Sequence, residues 1–326
     1  MATHTEAEEQ THEQRFIRAF FARSIPLTFS ILAFNIAIYL LMTYFSPDPK
    51  AMLISGGDRS TLIAFGAKTD LLLWNGGQWF RLITPIFIHI GLLHLIINSY
   101  ALFMIGPLAE RLYGSARFAV IYLLTGIGGV LGSAATFAVP WLIFTSNDLA
   151  SNSTLAKLAR FLLQHSNPSA TGAGASGAIF GLVGLLFVAG YKYRRELPPQ
   201  FRQTLGSGML PFIILNLFLG FYIDSIDNAA HMGGLITGII LALVIPYLSP
   251  NHIRLTRGEI VILIVCLLAV VWSFWRAYQV HQPLTPRRPQ PSISLIKPLT
   301  EDLANQRDSQ QENLWRSRKS EFLARA

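Results

Sequence analysis

The chain has 326 residues, of which 52% are hydrophobic and only 13% charged, with a mean hydropathy of +0.42. Soluble globular domains carry about 25% charged residues, so this composition excludes an ordinary soluble domain. The formal net charge of +8 does not point to nucleic acid: Lys and Arg flank long apolar runs, and no zinc-finger or RNA-binding spacing accompanies them.

In chain order, the polar opening "MATHTEAEEQTHEQ" reads as part of a cytoplasmic N-terminal segment, residues 1–24, and not as a cleavable leader. Seven apolar runs follow, to be compared with the roughly 17–25 residues a spanning helix needs. The first is Ile25–Phe45, and a long polar connection, Ser46–Ile90, leads to Leu92–Leu112 and Phe118–Val139. A second long connection, Pro140–Gly174, precedes Ala175–Tyr191, and Met209–Ile223, Ala230–Leu248 and Glu259–Trp275 complete the set. The fourth and fifth runs are short for spans. Within the second connection, Ser153–Gln164 has the apolar and basic spacing of a short interfacial helix, although an irregular loop accounts for it equally well. Cys266 is the one cysteine, so no intramolecular disulfide exists. Residues 276–326 are rich in Pro, Gln and charge and read as a disordered tail.

Basic residues cluster before run one, between runs two and three (Arg111, Arg117), between four and five ("YKYRRELPPQFRQ") and between six and seven ("HIRLTR"). With seven spans these clusters share one side, which the positive-inside bias makes cytoplasmic. The basic tail would then lie outside, against that bias. Runs two, four and six all descend from the outer side, and each carries polar residues near its head: His94 and Asn98, Ser176, and His231. At 1.5 Å per residue these four lie within roughly 10 Å of depth.

Small residues in apolar helices usually mean packing alone, and Gly177 with Gly181 and Gly234 with Gly238 form small-xxx-small pairs that let helix backbones approach closely. The same approach sets Ser176 against His231. A serine hydroxyl becomes a nucleophile when an adjacent imidazole takes its proton. Asp227 precedes His231 by four residues but falls in the outer turn with Asp224, so a two-residue dyad is favoured, with Phe180 as an apolar neighbour of the imidazole. The free amide at the head of run four and the side chains of His94 and Asn98 offer donors for an oxyanion. "TGIGGVLG" in run three lies mid-membrane with no strand before it, and close packing explains it better than a phosphate loop. "GSG" at 206–208 has no histidine at its level.

These motifs resemble the rhomboid intramembrane serine proteases. "GASGAIF", from Gly174, is similar to that family's Gly-x-Ser-Gly motif with an aromatic four positions after the serine, and "AHMGGLITG" to its Ala-His-x-x-Gly-x-x-x-Gly segment. "HIGLLHLIIN", from His89, matches its His-x4-His-x3-Asn pattern, and "GPLAERLYG", around Glu110, its Gly-x3-Glu-x3-Gly element. "QWFRLITPIFIH" resembles the preceding stretch, with Phe80 where a Trp often stands before Arg81.

The resemblance implies an all-α polytopic membrane protein with a six-helix catalytic core over residues 25–248, an extra spanning helix at 259–275, Ser176 as nucleophile, His231 as base, and His94 and Asn98 in the oxyanion hole. It implies single-span transmembrane substrates, cut near the outer leaflet, and no metal or organic cofactor. The outer segment with Trp79 and Arg81 would lie partly in the outer leaflet, and the fifth helix would gate entry. His89 is expected to support the outer loop, Glu110 to tie the cytoplasmic end of run two to its neighbours, and Arg81 to anchor its loop at the lipid headgroups. Location in a bacterial inner membrane is expected from the core-plus-one-helix layout. A catalytically silent, segment-binding relative is the alternative. A transporter would need polar residues continuing to the cytoplasmic side, and runs four and six have none there.

Overall fold

The computed structural model describes residues 4–54, 57–143, 171–223, 226–248 and 255–281. The expected interfacial helix at 153–164, Asp224 and most of the expected tail lie outside them. The described elements are helical: α1 (His4–Ala22), α2 (Pro26–Phe45), α3 (Pro49–Ile54), α4 (Arg59–Ala64), α5 (Leu92–Tyr113), α6 (Ser115–Ile143), α7 (Ser176–Lys192), α8 (Pro199–Leu205), α9 (Leu210–Leu219), α10 (Asn228–Val244) and α11 (Arg257–His281). Among the described residues, four stretches are long and apolar enough to cross a membrane: 13–45, α5, residues 115–136 of α6, and α11. Helices α7 and α10 are apolar but have 17 residues each, about 25 Å at 1.5 Å per residue, short of the roughly 30 Å hydrocarbon layer.

Glycine decides which helices touch. A Cβ at Gly234 would fall on the carbonyl oxygen of Gly177, and one at Gly238 on that of Gly181. The two small-residue pairs therefore face each other across α7 and α10, as expected. The glycines of "TGIGGVLG" complete the contact from the third side: Gly129 lies against Gly177, and Gly132 against Gly233. Packing is their role, and α6, α7 and α10 make the closest helix contacts among the described residues. Buried leucines, isoleucines and aromatics of α5, α6 and α7 extend this core, and α11 joins through Phe274, whose ring packs edge-on against Phe34 of α2 at 5.6 Å.

The long connection before α5 is compactly folded. Asp58 caps α4, accepting from the Thr61 amide at 2.8 Å and the Ser60 hydroxyl at 2.6 Å. A π-helical turn (Leu71–Asn75) and two 3-10 turns (Trp79–Leu82, Thr84–Ile86) follow. Arg81 corrects the expectation of a headgroup anchor. It is fully buried and donates to the carbonyls of Ile63 (3.0 Å) and Ala67 (2.5 Å) and to Gln78 Oε1 (2.7 Å). Irregular backbone leaves carbonyls without partners, and a guanidinium with five donors satisfies several at once. The exposed aromatics of this segment are Trp74 and Trp79, packed edge to face at 5.8 Å.

Two boundaries differ from the sequence reading. The fifth run forms only ten helical residues, none of them buried, because Gly220 ends it where the Asn228 side chain closes in and donates to the Leu217 carbonyl at 3.2 Å. Helix α11 runs to His281, into the segment expected to be a disordered tail. At the other end of α5, Glu110 is buried and accepts from the Leu27 and Thr28 amides (3.0 and 2.8 Å), the Thr28 hydroxyl (2.7 Å) and the Ser115 hydroxyl (2.7 Å). It thus satisfies the free amides at the start of α2 with a negative charge.

Candidate active site

Ser176 is the first residue of α7, after Ala175 as its cap, so its amide has no intrahelical acceptor. The chain arrives there under tight control. Lys68 and Gly172 exchange backbone hydrogen bonds (2.8 and 2.9 Å), and the Gly174 amide donates to the Pro85 carbonyl at 2.8 Å. Gly174 has φ +136, a conformation that side-chain-bearing residues rarely take. It is also the surface on which His94 rests: a Cβ there would come within 2.6 Å of His94 Cε1 and 2.8 Å of Nε2. His94 therefore lies beside the turn that precedes Ser176.

His231 occupies the first turn of α10 and is 6% exposed. Its imidazole stacks on the Phe180 ring, with centroids 4.1 Å apart and planes 9° from parallel. Phe180 is one turn below Ser176 on the same helix face, so the stack holds the imidazole alongside that face. His231 Nδ1 is buried and has no hydrogen-bond partner among the described residues. Asp227, the carboxylate nearest in sequence, is committed elsewhere: it caps α10 by accepting from the Ala230 amide at 2.9 Å, and its other oxygen accepts from Ser133. No hydrogen bond joins Ser176 Oγ to His231 in this geometry; such contacts often tighten only in the substrate complex.

Asn98 is 5% exposed, and its Nδ2 donates to the His94 carbonyl at 3.0 Å. One amide hydrogen is thus used along the helix, and the second remains for another acceptor. His89 is fully buried, with its ring 5.4 Å from that of His94 at 67°. Burial, with the neighbouring His94 adding to it, holds the His89 imidazole down to about 3. Arg81 and Glu110 make none of these contacts, each being held within the scaffold described above. No group of three or more metal-ligating side chains occurs among the described residues.

Sequence reasoning missed Lys68, Asp70 and Ser133. Lys68 and Asp70 are buried at 5% and 3% exposure and form an ion pair at 2.9 Å. Burial raises the Asp70 carboxyl above its ordinary value, against the pull of Lys68. The signal was present: two charges, two residues apart, in the otherwise apolar stretch "FGAKTDLLLW".

Residues 76–248 match the family model described as Rhomboid domain. The chain is 34% identical over 237 residues to Rhomboid protease GluP of Bacillus subtilis (strain 168), covering 72% of this chain and 38% of GluP. It is 30% identical over 256 residues to Rhomboid protease AarA of Providencia stuartii, covering 76% of this chain and 82% of AarA. A third relative, RHOMBOID-like protein 5 of Arabidopsis thaliana, is 30% identical over 220 residues, 64% of this chain and 59% of that protein.

Proposed function

The chain belongs to the rhomboid family and is an integral membrane protein of all-α polytopic fold, and on that premise we propose that it is a serine endopeptidase cleaving transmembrane segments of membrane proteins within the bilayer. Ser176 attacks the scissile carbonyl while His231 takes its proton, and later returns that proton to the leaving amine. The observation that carries this reading is the stack of His231 on Phe180, one turn below Ser176, at a helix contact so close that only glycines fit. Both oxygens of Asp227 are used elsewhere, which favours a dyad over a triad. The tetrahedral intermediate places its oxyanion near the Ser176 amide, with His94 and the second Asn98 hydrogen as side-chain donors.

The substrates are single-span proteins entering beside α9, which buries none of its residues, and the cut falls near the outer leaflet. The protein has its N-terminus in the cytoplasm, and a bacterial inner membrane is the setting the basic loops suit. The detergent-solubilised protein should react covalently with a fluorophosphonate probe and cleave a model transmembrane substrate. Ser176→Ala should abolish both, and His231→Ala should reduce labelling to background. Cleavage that survives Ser176→Ala would sink the assignment. Substrate binding without labelling or cleavage in the unaltered protein would favour a silent segment-binding relative instead.

A further inference from the structure

One residue outside the reacting pair touches the mountings of both members. Lys68 sits in the folded connection before α5, and its backbone pairs in both directions with Gly172, four residues ahead of Ser176. Its side chain leaves the other way. Nζ makes the ion pair with Asp70 and also donates to Ser133 Oγ on α6 at 2.9 Å. Ser133 donates in turn to Asp227 Oδ2. Asp227 begins α10: its Oδ1 accepts from the Ala230 amide at 2.9 Å, and its carbonyl accepts from the His231 amide at 3.1 Å.

The ion pair alone does not explain this chain of contacts. A buried ammonium needs a counter-ion and hydrogen-bond acceptors, and Asp70 supplies the counter-ion. A helix cap needs only one carboxylate oxygen. The second oxygen of Asp227, held by a hydroxyl that Lys68 itself holds, fixes the rotation of the cap and ties α10 to α6 and to the connection. Asp227 is exposed on its outer side, whereas Ser133, Lys68 and Asp70 are buried. The restraint therefore reaches the His231 helix from inside the protein.

We propose that Lys68 is a positioning residue for the Ser176–His231 pair, holding the segment that leads to Ser176 through its backbone and the cap of the His231 helix through Ser133 and Asp227. This rests on the protease reading. Reacting groups displaced by about 1 Å lose up to about a hundredfold in rate; with the cap loosened His231 still rests on the Phe180 ring, so a smaller displacement is expected. A drop on the order of tenfold is expected.

The test uses the full chain in detergent, with rates expressed per active enzyme after titration of the labelled fraction. Ser133→Ala removes the relay and leaves the Lys68–Gly172 pairing intact. It should lower kcat for the model substrate about tenfold at unchanged KM, and slow fluorophosphonate labelling of Ser176 by the same factor. Lys68→Met/Asp70→Leu removes the ion pair without stranding a charge and should do the same. Combining it with Ser133→Ala should add little, since both cut one chain of contacts. Wild-type rates in Ser133→Ala, a change in KM alone, or effects that multiply would each overturn the proposal. If the ion-pair variant does not fold, Ser133→Ala decides alone. Absence of labelling in the unaltered protein would instead remove the protease reading, and this proposal with it.

Discussion

At the scale of single residues, the site depends on atoms that are missing as much as on those present. Gly234 has no room for a methyl group because the Gly177 carbonyl occupies that position. Gly234→Ala must push α10 away from α7, and overpacking of this kind costs about 1–3 kcal/mol. The same push separates His231 from Ser176, so labelling should fall further than the loss of folded protein explains. Gly258, with nothing nearer than 4.0 Å, is the control: Gly258→Ala should be neutral or mildly stabilising, since alanine favours a helix over glycine by about 1 kcal/mol. Equal effects from both substitutions would show that the contact at Gly177 is not special. His89 gives a pH test. Its value falls from 6.5 to about 3 through burial first and His94 second, so the folded protein keeps it neutral while the unfolded chain protonates it. Stability that is full above about pH 6.5 is therefore lost as pH falls toward the folded value. The thermal midpoint in detergent should decline across that window, and His89→Gln should flatten the decline. An unchanged slope in that variant would assign it to other groups.

At the scale of elements, helix ends are held by side chains from other helices. Glu110 of α5 closes the start of α2, and Lys192, in the last turn of α7, donates to the carbonyls of Ala242 and Leu243 at the end of α10, both at 2.9 Å. Each charge has the sign that the helix dipole favours. Replacing Glu110 strands the buried amide and hydroxyl of Thr28 and the part-buried Leu27 amide and Ser115 hydroxyl. Glu110→Ala should destabilise by at least the roughly 1–3 kcal/mol of one lost buried partner, while Glu110→Gln, which keeps an acceptor, should cost less. A thermal series of the two variants in detergent checks the order, and a reversed order would mean that the charge does not matter. Four of the seven apolar runs, the facing glycine pairs and the placing of Phe180 beside His231 were legible in the sequence, because apolar run length and small-residue spacing are local properties. The short α9, the burial of Arg81 and the Lys68 relay were not. Each depends on a partner far along the chain: Asn228 beside Gly220, carbonyls of residues 63 and 67, and Ser133 between residues 68 and 227. Periodicity carries no record of such meetings.

At the scale of the molecule, two sets of polar contacts lie at opposite ends of the short helices. Ser176 begins α7 and Lys192 ends it, about 25 Å apart. At the Lys192 end, Arg23 donates to the carbonyls of Arg111 and Leu248, and Arg117 to that of Pro246. In the proposed orientation these basic residues lie on the cytoplasmic side, as the positive-inside bias favours, and they close helix ends there as well. In that same orientation the Ser176 end, with the exposed Trp74 and Trp79 pair in the folded connection, faces outward. Aromatic rings of this kind favour the membrane–water interface. Cys266 is the single native cysteine, so a Cys266→Ser background allows one reporter at a time. Asn75 and Gln203 are both exposed, one on each side in this orientation. In intact cells, a membrane-impermeant thiol reagent should label Asn75→Cys and leave Gln203→Cys untouched until the membrane is permeabilised. The opposite pattern would invert the protein and move the proposed cut to the cytoplasmic leaflet, leaving the glycine contact and the His231 stack as they are.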